Sequence, residues 1–183
     1  MSNRSISSAM WVIIITFATP SIGLTVENKD IERYLGEYQG ISVSDPDGLL
    51  SARDLDVTVH THDNGFVMEW VTITPTVNDQ LKRQEYKVKF HPTQRESIYS
   101  AAMRPDLFGG WVPLDPFEGD PFMWARILDS TLTIYAMFIT DTGAHDMQIY
   151  ERTLTKDGLN LNFQRLRDDT SLGVVKGVLK RIR

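Results

Sequence analysis

The residues able to carry chemistry fall into a few spacings. Asp141-Thr142-Gly143 is the tripeptide of aspartic proteases, in which two such carboxylates share one proton. It occurs once, so that chemistry would need two copies of the chain. Between two alternating runs the tripeptide is equally an ordinary turn, and the turn is the better reading. His60-x-His62 sets two imidazoles on one face of a strand, a spacing that metal sites use. Leu55, Val57 and Val59 mark the opposite face as the buried one, so both histidines are expected at the surface. Asp106, Asp115, Glu118 and Asp120 crowd one loop, but their spacing matches no calcium-loop pattern and reads as a solvated acidic segment. No Ser/His/Asp order, phosphate loop, dinucleotide glycine pattern or His-Glu-x-x-His occurs. No catalytic residue, metal or cofactor is therefore assigned.

Three alternating faces hold more chemical content. Gln148, Tyr150 and Arg152 share one; Trp124, Arg126 and Leu128 share another; Phe66, Met68, Trp70 and Thr72 share a third. If these faces line a lumen, it is apolar and aromatic with one or two arginines. A guanidinium forks onto carboxylate or phosphate, so such a lumen suits an amphiphile with an anionic head. Trp70, Trp124, Arg126, Tyr135, Gln148, Tyr150 and Arg152 are the candidate ligand-binding residues. The alternative places Arg126 and Arg152 outside, in cross-strand pairs with Glu69, Glu151 or aspartates. Parity does not choose between them. Leu132, Ile134, Ala136 and Phe138 on one face of a single run are matched by Tyr135, Met137 and Ile139 on the other.

Strands must position these side chains, and from Leu55 onward the hydrophobic period is two. The runs 55–60, 66–74, 85–91, 97–103, 123–128, 131–139, 145–154, 159–166 and 172–179 give about nine strands, joined mostly by tight turns. Ahead of them, Ile31, Tyr34, Leu35 and Tyr38 mark a short helix within 30–38, with Gly36 weakening its end. A meander of this length closes to remove its exposed edges. The expected fold is all-β, an up-and-down antiparallel β-barrel with a short N-terminal helix. The segment 104–121 interrupts the rhythm with Pro and Gly around Phe108, Trp111 and Phe117, as a lid over the barrel would.

Composition narrows the class. With 24 acidic against 19 basic residues and a net charge of −5, a general nucleic-acid binder is excluded. At 42% hydrophobic and 23% charged, so is wholesale disorder. The absence of cysteine removes disulfides, thiolate metal sites and thiol nucleophiles. Arg4, the apolar run Ala9–Ala18, Pro20 and Ser21-Ile22-Gly23 make a tripartite signal peptide, too short to span a bilayer of about 30 Å. Residues 1–23 are read as a cleaved signal and 24–183 as one barrel domain, in the periplasm or secreted. Cleavage removes Arg4 and no acid, taking the net charge from −5 to −6. Lys176, Lys180, Arg181 and Arg183 give a basic end suited to peripheral contact with anionic lipid or a partner, or simply to solvation.

Gly36-Glu37-Tyr38 at the start, with Lys180 or Arg181 near the end, resembles the calycin superfamily, the lipocalins and their relatives. In that family a Gly-x-Trp on the first strand is covered by a basic side chain from near the end of the barrel. Here Tyr38 stands for the Trp, no helix follows the last strand, and Thr140-Asp141 is followed by Thr142 instead of Tyr. The chain is also similar to a group of exported bacterial proteins, a likeness that carries no activity. The calycin resemblance implies an apolar cavity for a small hydrophobic molecule. A lumenal binding protein is thus the leading expectation. The alternatives are an envelope interaction protein with a packed barrel, and a barrel cyclase or isomerase using Glu69, Tyr86, Tyr135 or Tyr150 as acid or base.

Overall fold

The computed structural model describes residues 29–44, 56–75, 80–101, 104–105, 111–112 and 114–183. The signal segment 1–23, Leu55, Asp106 and Phe108 lie outside the described residues. A single helical turn, α1 (Lys29–Glu32), precedes β1 (Gly36–Ser44), β2 (Asp56–His62), β3 (Gly65–Pro75), β4 (Leu81–Pro92) and β5 (Ile98–Ala101). Two short segments, β6 (Arg104–Pro105) and β7 (Trp111–Val112), pair with each other, and a 3-10 turn follows at Pro116–Glu118. The chain then runs through β8 (Phe122–Leu128), β9 (Thr131–Ile139), β10 (His145–Leu154), β11 (Gly158–Arg167) and β12 (Thr170–Arg181).

Ten strands close into one barrel in the order β1-β12-β11-β10-β9-β8-β5-β4-β3-β2, every neighbouring pair antiparallel. The all-β barrel read from the sequence is the observed fold. The turns follow their chemistry: Asp168 and Asp169 both take positive φ (45° and 64°), the pair that a type I′ hairpin requires. Asp141-Thr142-Gly143 is a turn, with Gly143 at φ 82° and Gly143 N–H donating to Thr140 O.

The tenth barrel strand is β1, where a helix was expected to reach Tyr38. The helix instead ends at Glu32, because Tyr38 is claimed by two partners, Val57 of β2 and Arg181 of β12. Gly36 makes the entry possible. It sits at φ 144°, and a Cβ there would lie 2.5 Å from the Arg183 carbonyl oxygen.

The inward faces differ along the barrel axis. At the end carrying α1, Ile31 and Tyr34 plug the opening above Val59, Phe66, Phe90, Tyr99, Ile127, Leu132, Leu159 and Leu179, all buried. Phe66 stacks on Phe90 (centroids 4.9 Å) and meets Tyr99 edge-on (5.1 Å). Each such side chain contributes about 1.5–3 kcal/mol on burial. Hydrogen bonds hold the plug: Arg33 Nη1 donates to Asp129 O (3.0 Å) and Ser97 Oγ donates to Asp30 Oδ2 (2.9 Å). At the other end, here called the mouth, the inward-facing Tyr86, Met123, Gln148 and Arg165 are only half-buried.

Candidate functional site

Trp70, Gln148, Tyr150 and Arg152 point into the barrel and meet one another. β10 alternates so that Tyr150 and Arg152 face Ile134 and Leu132 on one side and Phe163 and Leu161 on the other, all inward. Arg152 is fully buried, at 0% exposure, and Tyr150 is nearly so. β3 and β10 lie on opposite sides of the ten-strand ring, yet Trp70 reaches Tyr150 across it at 5.7 Å between centroids. The Arg152 guanidinium carbon lies 5.7 Å from the Trp70 ring centroid and 5.5 Å from that of Tyr150, within cation–π range of both. Tyr86 stacks on the far side of this group against Trp70 (5.1 Å, 14°), and Tyr150 packs on Phe163 (4.7 Å).

The polar atoms here are mainly donors. Tyr150 Oη donates to Gln148 Oε1 (2.8 Å). Trp70 Nε1 is buried and has no hydrogen-bond partner among the described residues. An indole N–H in that position costs about 1–3 kcal/mol until an acceptor reaches it. A guanidinium packed on an indole ring whose N–H has no partner among the described residues offers donors that match the acceptor oxygens of a carboxylate or phosphate.

Above this group, at the mouth, Asp146 is buried and clasped by two arginines. Arg165 donates from Nε to Oδ1 (2.9 Å) and from Nη2 to Oδ2 (2.7 Å), and Arg167 Nη2 donates to Oδ2 (2.8 Å). Burial alone would raise the Asp146 carboxyl; the hydrogen bonds and charges of Arg165 and Arg167 outweigh it and hold the group below the usual carboxylate range. The pair fixes Arg165 on the inner wall, where its side chain keeps 31% exposure.

Trp124, Arg126 and Tyr135 stand elsewhere. They alternate with the buried Ala125, Ile127, Ile134 and Ala136 and therefore lie on the outer surface. Trp124 stacks on Tyr135 there (4.8 Å, 11°), and Arg126 is exposed. These three do not line the lumen. Both faces of β9 are apolar because this outer aromatic pair covers one side while the core takes the other. Glu69 is also outside, paired with Lys87 at 2.7 Å with its side chain 39% exposed, so of the acid/base candidates only Tyr86 and Tyr150 face inward. In the 104–121 segment, Trp111 falls in β7 and Phe117 projects from the 3-10 turn at 86% exposure. His60 and His62 are on the outer face of β2, and His62 lies 3.4 Å from Asp63.

Sequence reasoning missed Asp146, Arg165 and the stacking role of Tyr86. Arg165 shares its parity with Leu161 and Phe163, which was the available signal.

At the closed end Arg181, not Lys180, covers Tyr38. Its guanidinium lies 5.1 Å from the Tyr38 ring centroid and donates to Tyr38 Oη (2.6 Å) and Arg33 O (2.7 Å). Tyr38 Oη in turn donates to Tyr34 O (2.8 Å). No family model, curated protein or solved structure matches this chain.

Proposed function

We propose that this chain is an exported barrel that binds a small amphiphile with an anionic head in the mouth-side half of its lumen. The observation that supports it most is the fully buried Arg152, in cation–π range of both the Trp70 and Tyr150 rings, together with a buried Trp70 indole N–H that has no acceptor among the described residues. The head would reach these donors, and the tail would lie along Tyr86 and Met123, which face inward but remain half-buried. Arg165 on the wall adds a second cation near the mouth. Kinship with the calycins is proposed on the Gly36-x-Tyr38 strand start capped by Arg181. Export rests on Arg4, the apolar segment ahead of Pro20 and the small residues Ser21-Ile22-Gly23.

A second reading, a packed barrel that serves as an interaction protein, is favoured by one contact. Trp70 and Tyr150 bridge opposite walls, which leaves the lumen discontinuous at that level. Native mass spectrometry of the chain purified from the envelope fraction without detergent separates the two. The binding reading expects a co-purifying anionic, lipid-sized adduct on a chain that begins at Leu24. A chain that carries no adduct and takes up none when offered long-chain carboxylates and alkyl phosphates would move the assignment to the packed barrel.

A further inference from the structure

We propose that the closed end of the barrel carries a phosphate-binding cleft, separate from the lumen. A cleft of about 670 Å³ lies where the β10–β11 turn, the end of β12 and the residues after α1 converge. Arg33, Lys156, Lys180, Arg181 and Arg183 line it, with Asp157 the one acidic residue among its lining side chains. Among the described lining residues, five cations face one carboxylate, with Glu37 beside Arg183 at the rim, in a chain whose net charge is −5. They come from three places in the sequence, so the fold gathers them; a basic tail alone would not supply Arg33 or Lys156.

Two of the five are already held in place. Arg181 donates to Tyr38 Oη and Arg33 O, and Arg33 donates to Asp129 O. Groups fixed this way lose little further freedom when an anion arrives. Lys156 and Lys180 are exposed and make no ion pair among the described residues, and Arg183 makes a 3.5 Å contact to the exposed Glu37. Fixed guanidinium forks with mobile ammonium groups around them form a pattern that meets a phosphate from several sides. The same chemistry is offered by a soluble phosphorylated molecule and by a phospholipid headgroup.

The test uses the full chain, titrated calorimetrically with inorganic pyrophosphate at low salt, and co-sedimented with phosphatidylglycerol or phosphatidylcholine vesicles. The substitution pair is Lys156→Gln with Lys180→Gln, which spares Arg181 and its hold on Tyr38. A charge-matched control is Lys82→Gln with Lys89→Gln, exposed positions on β4. The proposal expects pyrophosphate to bind once per chain, about tenfold or more weaker in the cleft pair and unchanged in the control. Retention on phosphatidylglycerol vesicles that the cleft pair abolishes would identify a headgroup as the source; pyrophosphate binding without vesicle retention would identify a soluble phosphate. Binding of neither probe, or equal weakening by both pairs, would overturn the site.

Discussion

The two halves of the barrel interior are built from the same alternation but to different ends. Around α1 the inward side chains are apolar, fully buried and stacked, and a plug with its own hydrogen bonds closes the opening. Toward the mouth, the same inward positions carry Asp146, Gln148 and Arg165, of which Gln148 and Arg165 are half-buried, and the buried Arg152 sits where the two halves meet, beside Leu132 and Leu161. One half supplies stability, and the other spends burial on polar groups that a packed core would exclude.

The sharpest way to break this comparison is truncation in each half. Phe66→Ala should cost about 3–5 kcal/mol, the usual toll for removing a stacked, fully buried ring. Tyr86→Ala, whose ring is stacked but half-buried, should cost about 1–2 kcal/mol. Denaturant unfolding measures both, and equal losses would erase the distinction between the halves.

Next in size is Asp146→Asn, at about 1–3 kcal/mol, because it leaves Arg165 and Arg167 against a neutral amide at a buried position. Since the Asp146 carboxyl is held below its ordinary range when folded, its contribution is present above the unfolded value of 3.8 and is lost as pH falls through the folded value. The wild type should therefore lose stability on acidification more steeply than Asp146→Asn. Parallel acid profiles would contradict the clamp.

The closed half answers to base instead. Burial pushes the Tyr34 and Tyr99 hydroxyls up to about 12, and it raises Tyr38 against the opposing Arg181. Raised values mean full stability below pH 10.0, then a decline as pH climbs toward 12. Tyr38→Phe, which removes the hydroxyl linking Arg181 to Tyr34 O, should cost about 1 kcal/mol and soften that alkaline decline. Melting temperatures across pH 8 to 12 would show both.

Most of the barrel was legible because its strands alternate and their turns carry Asp and Gly. β9 and β10 match the expected bounds of 131–139 and 145–154 residue for residue. β1 escaped notice because Gly36 and Gly40 dilute its alternation, leaving Tyr38 to read equally well as the last turn of a helix. The site was half legible. Gln148, Tyr150 and Arg152 share a parity that the sequence displays, but which parity faces inward depends on register against β9, whose two faces are both apolar. Trp124, Arg126 and Tyr135 were drawn in by that ambiguity and belong to an outer aromatic pair and its neighbour. The contact between Trp70 and Arg152 joins strands on opposite walls, 82 positions apart in the chain, and no local pattern announces it.

The central claim, that the buried guanidinium exists to receive an anionic head, is tested most directly by calorimetric titration of the wild type and Arg152→Met with a twelve-carbon carboxylate and the matching alcohol. Melting curves would establish that both proteins are folded. The wild type should bind one carboxylate per chain and the alcohol about tenfold or more weakly, while folded Arg152→Met should bind the two alike. A folded wild type that takes up neither, or a variant that holds the carboxylate as tightly as the wild type, would contradict it.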